Sequence, residues 1–143
     1  MKINIIYDSK DENGEKIAEG LMDMIKDRGD EAHIYHAKNT KPENIKDADL
    51  YVFGSSTYLR GPSRRIKRII KKAPFSKKDT KYALFTTSSD GKGKAAGKME
   101  TMLKKRGLRK ASSNLHLKVE GKKGPLEKGY MKKIERFLGE FAS

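Results

Sequence analysis

Short apolar runs rich in β-branched and aromatic residues recur along the chain at Ile3 to Tyr7, Ala32 to Tyr35, Leu50 to Phe53, Tyr82 to Thr86 and Leu115 to Val119. Turn-forming residues bound each run, so the pattern predicts five strands. Between them, apolar residues recur every three or four positions: Ile17, Ala18, Leu21 and Ile25; Ile66, Ile69, Ile70 and Ala73; Ala95, Met99, Met102 and Leu103; Tyr130, Ile134, Phe137, Leu138 and Phe141. Each set forms one face of a helix. Pro42 to Lys46 leaves room for only a short additional helix. Asp27-Arg28-Gly29 and Arg106-Gly107 read as helix ends with glycine just past the last turn, and Pro62 suits the opening of the third helix.

Alternating βα units with nearly continuous apolar strands predict an α/β fold: a doubly wound, five-stranded parallel sheet covered on both faces. The expected strand order is 2-1-3-4-5. The rival order for five units, 3-2-1-4-5, places a GxGxxG turn after the first strand, whereas Asp8-Ser9-Lys10-Asp11-Glu12-Asn13-Gly14 holds a single glycine. Right-handed crossovers put the first and last helices on one sheet face and the others on the opposite face. The helices Ser63 to Ala73 and Gly93 to Arg106 are therefore expected to be neighbours.

The length, 143 residues, suits one domain spanning 1–143. There are no cysteines, which excludes disulfides, thiolate metal sites and thiol redox chemistry. Electrons carried by such a chain must reside on a bound cofactor. The chain opens on a strand-like run and has no apolar stretch of membrane-spanning length, so the expectation is a cytoplasmic protein without membrane association. The charged fraction of 36% is also compatible with a thermophilic source. The net charge of +14 is uneven: residues 1–50 hold 8 Lys/Arg against 12 Asp/Glu, and residues 51–143 hold 25 against 7. Ten basic residues fall between Arg60 and Lys81, opposed only by Asp79.

Ligands of open parallel sheets bind beyond the carboxyl ends of the strands. Three of those ends have similar polar loops: Ser9 to Gly14, Gly54-Ser55-Ser56-Thr57-Tyr58-Leu59-Arg60-Gly61-Pro62-Ser63, and Thr87-Ser88-Ser89-Asp90-Gly91-Lys92-Gly93. With Glu15-Lys16-Ile17-Ala18 opening the first helix, and Val119 to Leu126 near the end, nearly the whole chain resembles the flavodoxin family. The resemblance implies FMN as cofactor and electron transfer as function. It also implies that Ser9, Lys10, Asp11, Asn13 and Gly14 meet the FMN phosphate. Tyr58 then stacks on the isoalloxazine ring, with Ser56, Thr57, Leu59, Arg60 and Gly61 at its edge, and Ser88, Ser89, Asp90 and Gly91 along the pyrimidine side. The first loop departs from the family pattern (T/S)xTGxT, since Asp11, Glu12 and Gly14 stand where that pattern has Thr, Gly and Thr. Two hydroxyl donors are lost and two carboxylates gained beside a dianion. Taken alone, this loop reads equally as a phosphate site or as an acidic helix N-cap with an Asn13-Gly14 turn.

Other chemistries lack residues. His33, His36 and His116 are scattered with no carboxylate or thiol pattern to complete a metal site, and they read as half-exposed strand residues. No GxSxG elbow, Walker A loop or HExxH helix is present. An FMN-dependent reductase acting on a quinone needs a substrate pocket that the sequence does not display, so the expectation is a carrier rather than an enzyme with its own substrate. Two readings stand. In one, an FMN-binding electron carrier meets redox partner proteins through acidic docking surfaces on those partners. In the other, a flavin-free module of the same shape binds nucleic acid or an acidic protein through its basic helices. Members of the resembled family are mostly acidic, and this chain is not.

Overall fold

In a computed structural model, described over residues 1–9, 11–57, 61–89, 93–121 and 124–141, strands and helices alternate. They are β1 (Lys2–Asp8), α1 (Glu12–Asp27), β2 (Glu31–His36), β3 (Leu50–Ser56), α2 (Arg64–Lys72), β4 (Lys81–Ser88), α3 (Lys94–Lys105), β5 (Arg109–Lys110), β6 (Leu115–Lys118) and α4 (Tyr130–Phe141). Where a short helix was expected after β2, two 3-10 turns occur, at Ala37–Asn39 and Pro42–Asn44.

The sheet is parallel, in the order β2-β1-β3-β4-β5, with β6 also paired to β4. The fifth position is thus filled in two pieces. β5 lies beside the start of β4, with Lys81 opposite Arg109, and β6 lies beside its end, with Phe85 opposite Leu115 and Ser88 opposite Lys118. The register also aligns the strand ends that matter for function: Asp8 is opposite Ser55, and Ser56 is opposite Thr87.

Side chains alternate across the sheet and build two cores. On one face, Ile3, Ile5, Tyr7, Val52, Ala83, Phe85 and Leu117 pack with α1 and α4 through Ile17, Leu21, Ile25, Ile134, Phe137 and Leu138. On the other, Ile6, Tyr51, Phe53, Tyr82 and Leu84 pack with α2 and α3 through Ile66, Ile69, Ile70, Met99 and Leu103. This is the division that right-handed crossovers impose. Asn4 and Tyr51 each donate to the Lys46 carbonyl, at 2.7 and 3.2 Å, which fixes the connection between β2 and β3.

Helix ends follow local chemistry. Asp11 caps α1 and Ser63 caps α2 by accepting a backbone N–H, so Ser63 rather than Pro62 opens the latter helix. Gly29 and Gly107 turn the chain after α1 and α3 with φ of +86° and +84°, a conformation open to glycine without strain. The two basic helices, α2 and α3, lie side by side and are joined by Arg106. Its guanidinium donates to the carbonyls of Ile70, Lys71 and Ala73 at 2.7 to 2.8 Å, and stands 4.8 Å from the Phe75 ring centre.

Candidate functional site

Three loop segments meet at the carboxyl edge of the sheet, and the first is organised around Ser9. Its hydroxyl lies 2.9 Å from the Asp11 carbonyl and 3.1 Å from Asp11 Oδ1, either of which can accept its proton. The same oxygen accepts the N–H groups of Asp11 and Gly14, each at 3.3 Å. Asp11 Oδ1 accepts the Asn13 N–H at 3.0 Å. Three donors at the start of α1, the N–H groups of Asp11, Asn13 and Gly14, are thus engaged by the loop's own oxygens. A side chain at residue 14 would place Cβ 2.4 Å from Ser9 Cβ, so only glycine allows the helix to close on Ser9. Asn13 donates through Nδ2 to the Gly124 carbonyl at 2.9 Å, tying the loop to the segment between β6 and α4.

Beside this loop lies an open cleft of about 510 Å³, where Asp11, Glu12 and Glu15 face Lys38, Arg65 and His36. Arg65 is drawn toward the buried Asp8 carboxylate, with Nη1 3.6 Å from Oδ1. The field here is acidic: Tyr7 is pushed above its ordinary pKa, first by burial and then by the Glu15, Glu19 and Asp8 carboxylates.

The second segment leaves β3. Gly54 sits under the Phe85 ring of the neighbouring strand; an added Cβ would fall 1.9 Å from Phe85 Cζ. That glycine therefore serves the core. Ser55 accepts the Ser63 N–H at 3.2 Å and donates to the Ser56 carbonyl at 2.8 Å, which folds the segment back onto α2. The Thr57 N–H donates to the Thr87 carbonyl at 2.8 Å, and the Thr87 hydroxyl lies 3.4 Å from Ser56 Oγ, locking the second segment to the third. Thr57 Oγ1 is buried and has no hydrogen-bond partner among the described residues. Gly61, buried with φ of +116°, returns the chain toward Pro62 and α2.

The third segment continues β4. Thr86 Oγ1 is 2.8 Å from His116 Nδ1, and Ser88 Oγ is 3.0 Å from His116 Nε2. His116 thus joins β6 to the rim of β4. Gly93 lies close above it, since a Cβ there would come within 3.0 Å of Thr86 Oγ1 and 3.3 Å of His116 Nδ1. The sequence marks His116 only as a half-exposed strand residue. Its pairing with Thr86 in register is the signal that would have found it.

Of the expected site residues, Ser9, Asp11, Asn13, Gly14, Ser56, Thr57, Gly61, Ser88 and Ser89 fall on these three segments. Lys10, Tyr58, Leu59, Arg60, Asp90 and Gly91 lie outside the described residues. Among the described residues, no group of three or more His, Cys, Asp or Glu side chains could hold a metal ion, and no helix is long and apolar enough to cross a membrane.

A parallel sheet in this order, with its polar loops gathered beyond the ends of β1, β3 and β4, defines a flavodoxin-like domain. The family model described as flavodoxin matches residues 5–137, and the chain belongs to the flavodoxin family. Its fold is close to that of oxidised flavodoxin 1 from Bacillus cereus, with a TM-score of 0.79 at 18% identity over 99% of this chain and 97% of that one. Flavodoxin 2 from the same organism gives 0.75 at 21% identity, over 99% and 98% of the respective chains. The rubredoxin oxygen:oxidoreductase of Desulfovibrio gigas matches with a TM-score of 0.76 at 19% identity, over 99% of this chain and 35% of that chain. No curated protein matches by sequence.

The residues present fit the flavin implied by the family unequally. The second and third segments offer hydroxyls, close backbone and the unpartnered Thr57 Oγ1, a donor set suited to the polar edge of a flat heterocycle. The described residues of the first segment fit a phosphate poorly, because the N–H groups of Asp11, Asn13 and Gly14 are engaged and carboxylates outnumber the cations of the adjoining cleft.

Proposed function

We propose that this protein is a flavin-binding electron carrier whose flavin, FMN being the cofactor associated with the family, has its ring held by the second and third rim segments. The observation that carries the reading is the buried Thr57 hydroxyl, unpartnered among the described residues, on a rim whose neighbouring polar groups are otherwise tied to one another. A buried hydroxyl left without a partner costs about 1 to 3 kcal/mol, so it marks a place where a ligand acceptor or donor belongs.

A bound flavin supplies one- and two-electron transfer at its ring. The chain's part is position and electrostatics. The bonds from Thr57 to Thr87 and from Ser63 to Ser55 anchor the two ends of the second segment, and the bridge from Thr86 through His116 to Ser88 anchors the start of the third. The family resemblance would assign Tyr58 to one ring face, Ser56, Leu59, Arg60 and Gly61 to the ring edge, and Ser88, Ser89, Asp90 and Gly91 to the pyrimidine side. Replacing Tyr58 by Ala should weaken flavin affinity by about 1 kcal/mol or more and reduce quenching of flavin fluorescence, as expected for loss of a stacked aromatic. Affinity and quenching unchanged from the native chain would remove Tyr58 from the site.

Flavodoxins act with redox partner proteins, and here the docking surface is the basic face of α2 and α3. Arg64, Arg68, Lys71 and Lys72 on one helix, and Lys94, Lys98, Lys104 and Lys105 on the other, are exposed, and Arg106 holds the two helices together. Their charges sum into one field that fits partners with acidic docking sites. The same face supports a second reading, flavin-free binding of nucleic acid, which predicts retention of duplexes of unrelated sequence at low salt by a colourless protein.

A further inference from the structure

We infer that the first segment refuses the phosphate of FMN, so that the site takes flavins of the phosphate-free class, with riboflavin as the probe, at least as well as FMN. This rests on the flavin reading above and narrows its ligand. The start of a helix binds phosphate when its N–H groups are free to point at the anion and no negative charge stands nearby. At α1 three of these groups are already engaged and carboxylates stand close. Asp11 Oδ1 already accepts the Asn13 N–H at 3.0 Å, and Ser9 Oγ accepts those of Asp11 and Gly14. The Asp11 carboxylate stands in for the anion, and a phosphate could enter only by displacing it.

The surroundings oppose that exchange. Glu12 and Glu15 follow Asp11 in the first turn of α1, and all three carboxylates line the adjoining cleft. Of the cations of that cleft, Arg65 is drawn to the buried Asp8, which leaves Lys38 against three carboxylates. The Tyr7 hydroxyl on the adjacent strand is pushed up first by burial and then by Glu15, Glu19 and Asp8, in keeping with that field. A ligand carrying its charge at the phosphate meets repulsion here, whereas an uncharged ribityl chain does not. The ring-binding segments on β3 and β4 are untouched by this difference.

The test is a pair of fluorescence titrations of the full chain at low ionic strength, one with FMN and one with riboflavin. Riboflavin should bind as tightly as FMN or more so, within about three-fold, where an open phosphate site would favour FMN by far more. FMN affinity should rise as salt is added, because screening weakens a repulsion. Asp11→Asn combined with Glu12→Gln keeps a capping side chain while removing both charges, and should move the affinity ratio toward FMN by about ten-fold. FMN binding more than about three-fold tighter than riboflavin in the native chain would overturn the inference while leaving the flavin reading intact. Binding of neither flavin would overturn both.

Discussion

Gly54 offers the sharpest test of how the rim is built, because its requirement for hydrogen comes from the core. The change is Gly54→Ala. The new methyl would lie 1.9 Å from Phe85 Cζ and 2.2 and 2.3 Å from the two Cε atoms, against about 3.5 to 4.0 Å for an ordinary carbon contact. Either the ring or the strand must therefore move by about 1.5 Å or more. Phe85 is only 2% exposed and is enclosed by the core shared with α1 and α4, so there is no empty space to receive it. Overpacking of this kind costs about 1 to 3 kcal/mol, and expulsion of the ring approaches the 3 to 5 kcal/mol of a Phe truncation. We expect a loss of about 2 to 4 kcal/mol, or about 10 °C in melting temperature for a chain of this length. Urea denaturation followed by circular dichroism measures it. Phe85→Leu in the same background should recover much of the loss, giving a coupling of about 1 kcal/mol or more between adjacent residues. A Gly54→Ala variant within about 0.5 kcal/mol of native stability would refute the ring-over-glycine packing.

Acid should act through carboxylates held in their charged form. Asp49 is kept below its ordinary value by the Lys2 backbone N–H and by Lys77, and Glu127 by Lys133 and the Lys118 N–H. A lowered folded pKa stabilises the fold above the unfolded value, near pH 4, and that contribution disappears as pH falls through the folded value. Stability measured from pH 6 to pH 2 should therefore fall below about pH 4, and Asp49→Asn should flatten the fall; an identical profile in the variant would exclude Asp49. Reversing Arg64 and Arg68 to Glu should slow association with an acidic redox partner and weaken the salt dependence of the rate, while flavin affinity stays within about two-fold, as stopped-flow and titration would show. A large loss of flavin affinity would place these arginines nearer the site than the helix flank.

Much of this architecture is legible in the residue pattern, and what escapes it has physical causes. The strands with continuous apolar runs are buried on both faces and announce themselves, as do helices whose apolar residues recur at three and four. Arg109–Lys110 carries no apolar signal, because β5 owes its place to the buried Leu108 before it and to pairing with β4. The 3-10 turns after β2 are too short to show a helical repeat: each is closed by one or two backbone bonds and meets the core through single residues, Ala37 and Ile45. At the rim, residue type identifies the three segments, but tertiary pairing decides what each group does. Asp11 reads equally as a phosphate neighbour or a cap until its oxygen is seen on the Asn13 N–H. Asn13 and Gly14 then belong to the first turn of α1 instead of a separate turn. Gly54 sits within the stretch resembling a flavin loop, yet it answers to Phe85. His116, distant in sequence, acquires its role only through register with Thr86.

The central claim is that the rim beyond β1, β3 and β4 holds a flavin ring. Equilibrium titration of riboflavin fluorescence with the native chain tests it most directly. The account predicts saturable quenching at one flavin per chain, with a visible absorption band altered by the protein environment. Fluorescence that declines without saturation, or does not change at concentrations up to about 0.1 mM, with riboflavin and with FMN alike would contradict it.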